Sequence, residues 1–311
     1  MSVLVKYEPK KKILLLGGSG QIGSEINDIN NNDEYEILRP NKNKLDLTNF
    51  NKVTEFLDNN NFDYIFNLAA YTNVDKAECE REKANLLNHI IPEMLSVEAN
   101  RRSIGLIHVS TDYVFGKDSS GPFCFTSTKE PSNYYGLTKS LGEDKILKYC
   151  KNSTIIRISS VFSEYGENFV KKIVNLIVHN DEINVVSDQL ISLTSAKDFA
   201  ENFYNFIKIN SKNKLSQLPE LKVIHFSNNI FTTWYEVSLI VMNELTIIDS
   251  KINCNINPIS YKEWNSKAKR PADSRLASDE SILIKSDIII NDWQQLVRQT
   301  VRTIYRNYNR V

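Results

Sequence analysis

Short apolar runs alternate with segments of helical periodicity along the first half of the chain, and this alternation limits the folds open to it. The apolar runs are Ile13–Leu16, Tyr35–Leu38, Tyr64–Asn67, Ile104–Val109 and Ser153–Arg157. Between them, residues 21–31, 49–59, 84–100 and 141–149 can form helices. Strands that alternate with helices form a parallel sheet with helices on both faces. The sequence therefore predicts a doubly wound α/β fold.

A glycine-rich loop lies between the first apolar run and the first predicted helix. Residues 17–23 contain four of the ten glycines in the chain. Glycine permits a tight turn and close approach to a pyrophosphate, and the N-terminus of the following helix favours negative charge. An ordinary turn between a strand and a helix is the alternative, but the position after the first strand favours a dinucleotide-binding loop. The predicted cofactor-binding residues of this loop are Gly17, Ser19, Gly20, Gln21, Ile22 and Gly23.

The second half of the chain is less regular, and 311 residues exceed the usual size of a single hydrophobic core. Helices are predicted at 168–178, 195–209, 232–245 and 292–308, strands at 183–186 and 221–226, a surface connection at 210–220, and a loop-rich section at 246–291. We expect a Rossmann-type dinucleotide-binding domain from residues 1–157 and about 193–226. A smaller C-terminal substrate-binding lobe is expected from about 158–192 and 227–311.

The charges of the chain balance, with 38 basic and 38 acidic residues and no long run of either sign. This balance gives no reason to expect nucleic acid or an anionic membrane as partner, so a small molecule is the expected partner. No apolar stretch approaches the roughly 20 residues of a membrane span, and residues 1–12 lack the apolar middle of a secretory signal. We therefore expect a cytoplasmic protein. The cysteines and histidines lack metal-ligand spacing, so no metal site is expected.

Tyr135 and Lys139 lie four residues apart in a predicted helix, so their side chains share a face. An ammonium beside a phenol lowers the pKa of the phenol, which would make Tyr135 a proton donor near pH 7. The upstream Thr111 adds a hydroxyl to this set. The same spacing recurs at Tyr7/Lys11, Tyr113/Lys117 and Tyr204/Lys208. The pair alone therefore does not identify a catalytic site.

Arg39 follows the second predicted strand, where an acidic residue would bond the ribose hydroxyls of NAD. A guanidinium at this place can instead pair with a 2′-phosphate. The sequence therefore predicts a preference for NADPH, with NADH left open. The alternative is a solvated surface arginine.

Seven segments, in order along the chain, resemble the dTDP-4-dehydrorhamnose reductase family of the extended short-chain dehydrogenases/reductases. They are residues 17–23, 67–78, 110–115, 133–143, 168–170, 232–234 and 270–276. The resemblance implies NADPH-dependent reduction of the C4 ketone of a nucleotide-linked 4-keto-6-deoxy sugar, as in the synthesis of L-rhamnose-type sugar nucleotides.

The resemblance also implies a catalytic set of Thr111, Tyr135 and Lys139. Thr111 would bond the carbonyl oxygen, Tyr135 would protonate the developing alkoxide, and Lys139 would hold the nicotinamide ribose. The further implied cofactor residues are Asp46 and Leu47 near the adenine, and Ala69, Ala70 and Tyr71 near the ribose and pyrophosphate. The implied substrate-binding residues are Thr111, Asp112, Tyr113, Ser160, Asn168 and Arg270. Arg270 would lie near the diphosphate, with an exposed arginine as the alternative, and residues 73–75 are expected to be loop structure.

The chain departs from the family pattern on the substrate side. Ser160 stands where a tryptophan is usual, and residues 190–194 replace a Gly-x-Pro-Thr turn. An open wall suits a bulkier sugar, and neutral drift with compensating packing is the alternative. Lys197 stands where some relatives have an acidic residue, so bound magnesium is not assumed, and a homodimer stays open.

Two other functions are therefore retained. The first is the same reduction on a UDP-linked or 2-acetamido-2,6-dideoxy 4-keto sugar. The second is a non-catalytic NADP-binding regulatory subunit similar to methionine adenosyltransferase β.

Overall fold

The structure, a computed structural model, describes residues 9–29, 34–211 and 222–308. The first half of the chain contains β1 (Lys11–Leu16), α1 (Gln21–Asp28), β2 (Tyr35–Leu38), α2 (Phe50–Asp58), β3 (Tyr64–Asn67), α3 (Val74–Ala77), α4 (Arg81–Asn85), a π-helical segment (Leu86–Ile90), α5 (Ile91–Arg102), β4 (Gly105–Thr111), a 3₁₀ turn (Asp112–Val114), α6 (Tyr134–Tyr149) and β5 (Ser153–Ile158). The second half contains β6 (Val161–Phe162), α7 (Phe169–His179), β7 (Glu182–Val186), β8 (Leu190–Ile191), β9 (Thr194–Ser195), α8 (Ala196–Glu201), α9 (Phe203–Asn210), β10 (Val223–His225), β11 (Thr232–Thr233), α10 (Trp234–Ile248), β12 (Asn255–Ile259), α11 (Tyr261–Trp264), α12 (Glu280–Lys285) and α13 (Trp293–Tyr308).

Six parallel strands form the central sheet in the order β2-β1-β3-β4-β5-β10. β2 lies on one side of β1 and β3 on the other, and Leu16 pairs with Asn67, so β1 and β3 end side by side. The carboxyl ends of two such strands, where the winding of the sheet reverses, form the usual ligand crevice of an open α/β sheet. The predicted Rossmann-type sheet is confirmed.

Both faces of the sheet are buried under helices. Phe199 of α8 and Phe203 of α9 pack on one face, and Ile146 of α6 packs on the other. A separate apolar cluster joins α7, α10 and α13 to β7 and β12. Ile282 and Ile288, which fall within the predicted substrate-binding lobe, pack with the α8 and α9 side of the sheet. The boundaries of the two predicted units therefore stay a prediction.

Several predicted elements differ from the structure. β4 continues beyond its apolar run to Thr111, because Thr111 pairs with Ile158 of β5. The helix predicted at 195–209 is interrupted at Asn202, whose amide donates to Asp198 O at 2.9 Å and to Ile289 O at 2.7 Å. The section predicted to be loop-rich contains β12, which pairs in parallel with β7, and two short helices. The predicted helix end at 30–31, residues 212–220 of the predicted surface connection and the strand start at 221 lie outside the described residues. The connection was predicted to begin at Asn210, but this residue is the buried last residue of α9.

Candidate active site

The glycine loop between β1 and α1 packs tightly against the segment that follows β3. Gly17 has a φ of +78°, and a Cβ there would lie 2.6 Å from the Ala69 backbone nitrogen. A Cβ at Gly23 would lie 2.5 Å from Gly18 Cα. Gly20 is the N-cap of α1, and no side chain among the described residues caps this helix end. The first backbone N–H groups of α1 are therefore available to an anionic ligand.

The other predicted cofactor residues surround this loop. Asn67 Oδ1 accepts from the Ala69 N–H at 3.0 Å, and the Asn88 side chain bonds both the N–H and the carbonyl of Tyr71 at 2.8 and 3.0 Å. These bonds position residues 69–71 beside Gly17. Arg39 lies beside Gly18, since a Cβ on that glycine would be 3.6 Å from Arg39 Cβ.

Asp46 and Leu47 lie in the segment between β2 and α2. The Asp46 carboxylate accepts from the backbone N–H of Thr48 at 3.0 Å and from its hydroxyl at 2.8 Å, and these two bonds lower the pKa of Asp46. Leu47 packs against the apolar cluster of the α6 side of the sheet. Asp46 is therefore a charged carboxylate at neutral pH, whose orientation is set by Thr48.

The first turn of α6 brings Tyr135 to the end of β4. Asn133 caps the helix by accepting from the Gly136 N–H at 2.8 Å. The ring of Tyr135 meets that of Tyr113 edge to face, with centroids 5.8 Å apart. The phenol of Tyr135 also bonds Thr111, the last residue of β4. Thr111 and Tyr135 are therefore brought together as the sequence predicted.

The ionisation of Tyr135 differs from the prediction. Burial raises the pKa of Tyr135 to about 12, and the hydrogen bond between Tyr135 and Thr111 opposes this shift. The expected lowering by Lys139 is absent because Lys139 Nζ is directed elsewhere: it donates to Val109 O at 2.7 Å and lies 3.1 Å from His108 Nε2. Burial lowers the pKa of Lys139 to about 8, although Glu143 opposes this shift.

Asp112 organises the hydroxyls at the end of β4. Its carboxylate is 2% exposed and accepts from Thr111 Oγ1 at 2.9 Å and from Ser159 Oγ at 2.7 Å. Burial raises the pKa of Asp112, and the bonds from these and neighbouring hydroxyls oppose that shift. Thr111 is thus held in one orientation by the residue that follows it.

A cleft of about 600 Å³ opens at this point. It contains Tyr135 and every predicted substrate-binding residue, namely Thr111, Asp112, Tyr113, Ser160, Asn168 and Arg270. The glycine loop and Lys139 do not line the cleft, but Asn168 Nδ2 donates to Gln21 Oε1 at 3.0 Å and so joins its wall to α1. The candidate catalytic groups therefore lie between the sheet crevice and this cleft.

Arg270 forms an ion pair across the cleft wall. Its guanidinium donates to both carboxylate oxygens of Asp75, at 2.8 and 3.2 Å, and lies 4.7 Å from the ring centre of Trp264. The prediction that residues 73–75 form a loop was wrong for Val74 and Asp75, which lie in α3 because Asn73 caps that helix. The ion pair lowers the pKa of Asp75.

The sequence did not identify several residues that line the cleft or support it. Asp75, Trp234 and Trp264 line it, and His108 contacts Lys139. Asp75 and Trp234 belong to segments that carry the family resemblance, which was the available signal. Ser160, the departure from the family pattern, lines the cleft with a φ of +31°.

Residues 9–29, 34–211 and 222–308 contain no group of three or more His, Cys, Asp or Glu side chains that is arranged to hold a metal ion. Nor does any helix here have the length and apolar character needed to cross a membrane.

Known proteins resemble this chain over nearly its whole length. The model of the RmlD substrate binding domain family matches residues 11–306. The dTDP-4-dehydrorhamnose reductase of Aggregatibacter actinomycetemcomitans is 32% identical over 92% of this chain and 97% of its own. The spore coat polysaccharide biosynthesis protein SpsK of Bacillus subtilis (strain 168) is 32% identical over 93% of this chain and 96% of its own. A crystal structure of the Bacillus anthracis (strain Ames) dTDP-4-dehydrorhamnose reductase in complex with NADP has a TM-score of 0.81 and 28% identity, covering 94% of this chain and 99% of that one. This chain therefore belongs to the RmlD substrate binding domain family, the family of the dTDP-4-dehydrorhamnose reductases.

Proposed function

We propose that this protein uses NADPH to reduce the C4 ketone of a nucleotide-linked 4-keto-6-deoxy sugar. Among named substrates, dTDP-4-dehydrorhamnose is the one that we expect to be most similar to the substrate of this protein. The observation that carries the proposal is the position of Thr111 and Tyr135. Both line a cleft large enough for a small ligand, and both lie beside the crevice of a dinucleotide-binding sheet. A hydroxyl and a protonated phenol at such a place suit the reduction of a carbonyl.

The residues at the crevice fit a dinucleotide. Side chains at Gly17 and Gly23 would fill the space beside residues 18 and 69, and the uncapped start of α1 favours a pyrophosphate. Arg39, beside this loop, would pair with the 2′-phosphate of NADPH. When bound, NADPH supplies the hydride that reduces the C4 carbonyl.

The side chains of the cleft would then supply a proton to the alkoxide oxygen and hydrogen-bond it. Tyr135 keeps its proton at neutral pH because its pKa is about 12, and it would donate this proton from Oη to the more basic alkoxide oxygen. Thr111, whose hydroxyl donates to Asp112 in the free protein, would turn that hydrogen to the same oxygen when the substrate binds. Lys139, which lies outside the cleft, would hold the nicotinamide ribose.

Recognition of the sugar nucleotide is proposed for the opposite wall. Arg270 would contact the diphosphate, and the pair with Asp75 and the ring of Trp264 would keep its guanidinium extended. Asn168, which is bonded to Gln21, would contact the sugar where the cleft meets α1. Ser160 leaves this part of the wall without a large side chain.

Turnover with dTDP- and UDP-linked 4-keto-6-deoxy sugars, each with and without a 2-acetamido group, tests the proposal. We expect the highest kcat/KM with a dTDP-linked sugar and a higher value with NADPH than with NADH. The highest value for a UDP-linked or 2-acetamido sugar would reassign the substrate. Absence of NADPH oxidation with all of them would contradict the proposal and favour a non-catalytic binding protein.

A cytoplasmic location, a homodimer and the predicted division into two units are also proposed. All four cysteines, each within a described range, are free thiols, as is usual in reducing compartments. Exposed apolar side chains such as Ile284 and Ile289 could be covered by a second subunit. Sedimentation velocity tests the homodimer, and a purely monomeric species would contradict it.

A further inference from the structure

A continuous row of hydrogen bonds reaches Lys139 from β3 and β4. Asn67 Oδ1 accepts from the Ala69 N–H at 3.0 Å, and Asn67 Nδ2 lies 3.0 Å from His108 Nδ1. His108 Nε2 lies 3.1 Å from Lys139 Nζ, which donates to Val109 O at 2.7 Å. Asn67, His108 and Lys139 are at most 2% exposed, so their hydrogen-bonding groups depend on one another.

These contacts determine which nitrogen of His108 carries its hydrogen. Because the oxygen of the Asn67 amide accepts from a backbone N–H, the NH₂ group faces His108 and donates. Nδ1 of His108 therefore accepts, and the hydrogen of the neutral ring is on Nε2. Burial holds the pKa of His108 well below its usual value, so the ring stays neutral.

The Nε2–H of His108 is directed at Lys139 Nζ. An ammonium has no lone pair, so it would place its own N–H groups against another donor. A neutral amine satisfies both contacts, because it accepts from His108 and donates to Val109 O. The shift of the pKa of Lys139, which burial lowers to about 8, has the direction that this arrangement requires.

We propose that His108 is a positioning residue that stabilises the neutral amine form of Lys139 in the free protein, so that binding of the dinucleotide in alkaline solution is coupled to proton uptake at Nζ. The inference rests on the proposed function in one respect, that Lys139 contacts the cofactor. Ribose hydroxyls and phosphates supply oxygen acceptors and negative charge, both of which favour an ammonium. The proton comes from solvent and remains on Nζ while the cofactor is bound.

The charged and titratable groups around Lys139 are consistent with this role of the imidazole. Glu143, one turn along α6, favours the ammonium, but its carboxylate is bonded to Arg157 of β5 at 2.7 Å and lies 3.3 Å from Lys129. Tyr135, on the same helix, stays protonated because burial raises its pKa to about 12. The negative charge beside Lys139 is therefore already balanced by two other cations.

Calorimetric titration with NADPH, in buffers of different ionisation enthalpy, measures the protons taken up on binding. Since the pKa of Lys139 in the free protein is about 8, we expect little uptake at about pH 7 and nearly one proton per site at about pH 9. The 2′-phosphate does not contribute there, because its second pKa is about 6. Absence of uptake at about pH 9 would overturn the proposal.

Two variants test the part played by His108. In His108→Gln, a carboxamide oxygen can accept from Nζ, and in Asn67→Asp, a carboxylate can accept from Nδ1–H and leave Nε2 as an acceptor. Both changes favour the ammonium in the free protein, so both should greatly reduce the proton uptake. Two folded variants that keep the uptake of the unmodified protein would overturn the proposal, and either variant suffices if the other does not fold.

Two further variants assign the proton and control for side effects. Lys139→Met should abolish the uptake, and its persistence in that variant would show that another group binds the proton. His179→Gln, a change at an exposed histidine, should leave the uptake unchanged. All these measurements omit the sugar nucleotide, so failure of the proposed substrate and failure of this inference give different results.

Discussion

The phenol of Tyr135 is the group on which the proposed chemistry depends most. Replacing it in Tyr135→Phe removes the proton donor but keeps the ring that packs on Tyr113. We expect kcat to fall by about 10²–10⁴-fold, the usual contribution of general acid catalysis, while the Kd of NADPH changes little. Steady-state kinetics and a fluorescence titration with NADPH measure these quantities.

Tyr134→Phe is the matched control. Tyr134 is the preceding residue of α6, and its ring is covered by Arg81 at 4.9 Å instead of facing the cleft. We expect this variant to keep nearly full turnover. Comparable kcat values for the two variants would contradict the role assigned to Tyr135.

Arg270 is the proposed contact of the substrate diphosphate. Arg270→Ala should raise the KM for the sugar nucleotide about 10- to 150-fold, which corresponds to the loss of a charged hydrogen bond of about 1.5–3 kcal/mol. Lys269→Ala removes a positive charge one residue earlier, from an exposed side chain, and should leave KM unchanged. An equal effect of the two changes on KM would show that only the local positive charge matters.

At the scale of residues, the sequence indicated which groups meet in the cleft but not how they are oriented. The spacing of Tyr135 and Lys139 predicted a shared helix face. The direction of Lys139 Nζ depends on His108 and Val109, which come from another element. Likewise, Asp75 and Arg270 are 195 positions apart, so no local pattern predicts their ion pair.

Among the structural elements, the loop between β1 and α1 depends on glycine at two of its positions, Gly17 and Gly23. Gly17→Ala and Gly23→Ala should both weaken NADPH binding and lower the free energy of unfolding, since each Cβ would meet backbone atoms at under 3 Å. For Gly17 the positive φ alone adds about 1–2 kcal/mol. Gly18→Ala should be tolerated in the unfolding experiment, because its Cβ would lie 3.6 Å from Arg39. Urea denaturation measures all three, and equal destabilisation would contradict the account.

An ion pair between Glu143 and Arg157 joins α6 to β5. Glu143 is fully buried and receives two hydrogen bonds from Arg157, at 2.7 and 2.9 Å. Burial alone would raise the pKa of Glu143, but the bonds and charges of Arg157 and Lys129 hold it below its usual value. Glu143→Gln should lower the free energy of unfolding by about 3–5 kcal/mol at pH 7, because Arg157 loses its counter-charge.

The pH dependence of this pair follows from the lowered pKa of Glu143. The carboxylate stabilises the fold above its unfolded pKa of about 4.3, and this contribution is lost as the pH falls through the folded pKa. The difference in the free energy of unfolding between Glu143→Gln and the unmodified protein should therefore become smaller in strongly acidic solution. Asp144→Asn, which alters the adjacent exposed partner of Lys129, should cost at most about 1 kcal/mol.

Secondary-structure elements were predicted correctly where the local sequence determines them. They were missed where pairing or hydrogen bonding with a residue distant in the sequence determines them. β2 and β3 were predicted with the observed bounds, because each is a short apolar run between polar segments. β12 was missed, because Asn255–Ile259 becomes a strand by pairing with β7, some 70 residues earlier in the chain. The break at Asn202 was missed for the same reason, since its amide is bonded to Ile289.

At the scale of the whole molecule, acid should destabilise the protein partly through His225. This side chain is 3% exposed, and burial, followed by the charge of Arg157, lowers its pKa to about 4. The unfolded chain binds a proton near pH 6.5 and the folded chain does not, so stability falls as the pH drops from about 6.5 to 4. His225 should contribute up to about 1.4 kcal/mol per pH unit in this range.

Urea denaturation at pH 7 and pH 5 of the unmodified protein and of His225→Asn measures this contribution. Asparagine can still donate to Ala277 O, the partner of His225 Nδ1 at 3.1 Å, but it does not titrate. The loss of stability between the two pH values should be smaller in this variant. His179→Asn, at an exposed position, should keep the full loss, and an equal loss in all three proteins would exclude His225 as a source.

The ion pair between Asp75 and Arg270 has a consequence for the order in which the protein becomes functional during its synthesis. The proposed dinucleotide contacts all come from residues 17–139, which leave the ribosome before residue 270 does. The wall that holds Arg270 is translated much later, so the cleft is incomplete on any nascent chain that ends before residue 270. The proposed contact of Arg270 with the sugar nucleotide can therefore form only after the residues proposed for the dinucleotide have been made.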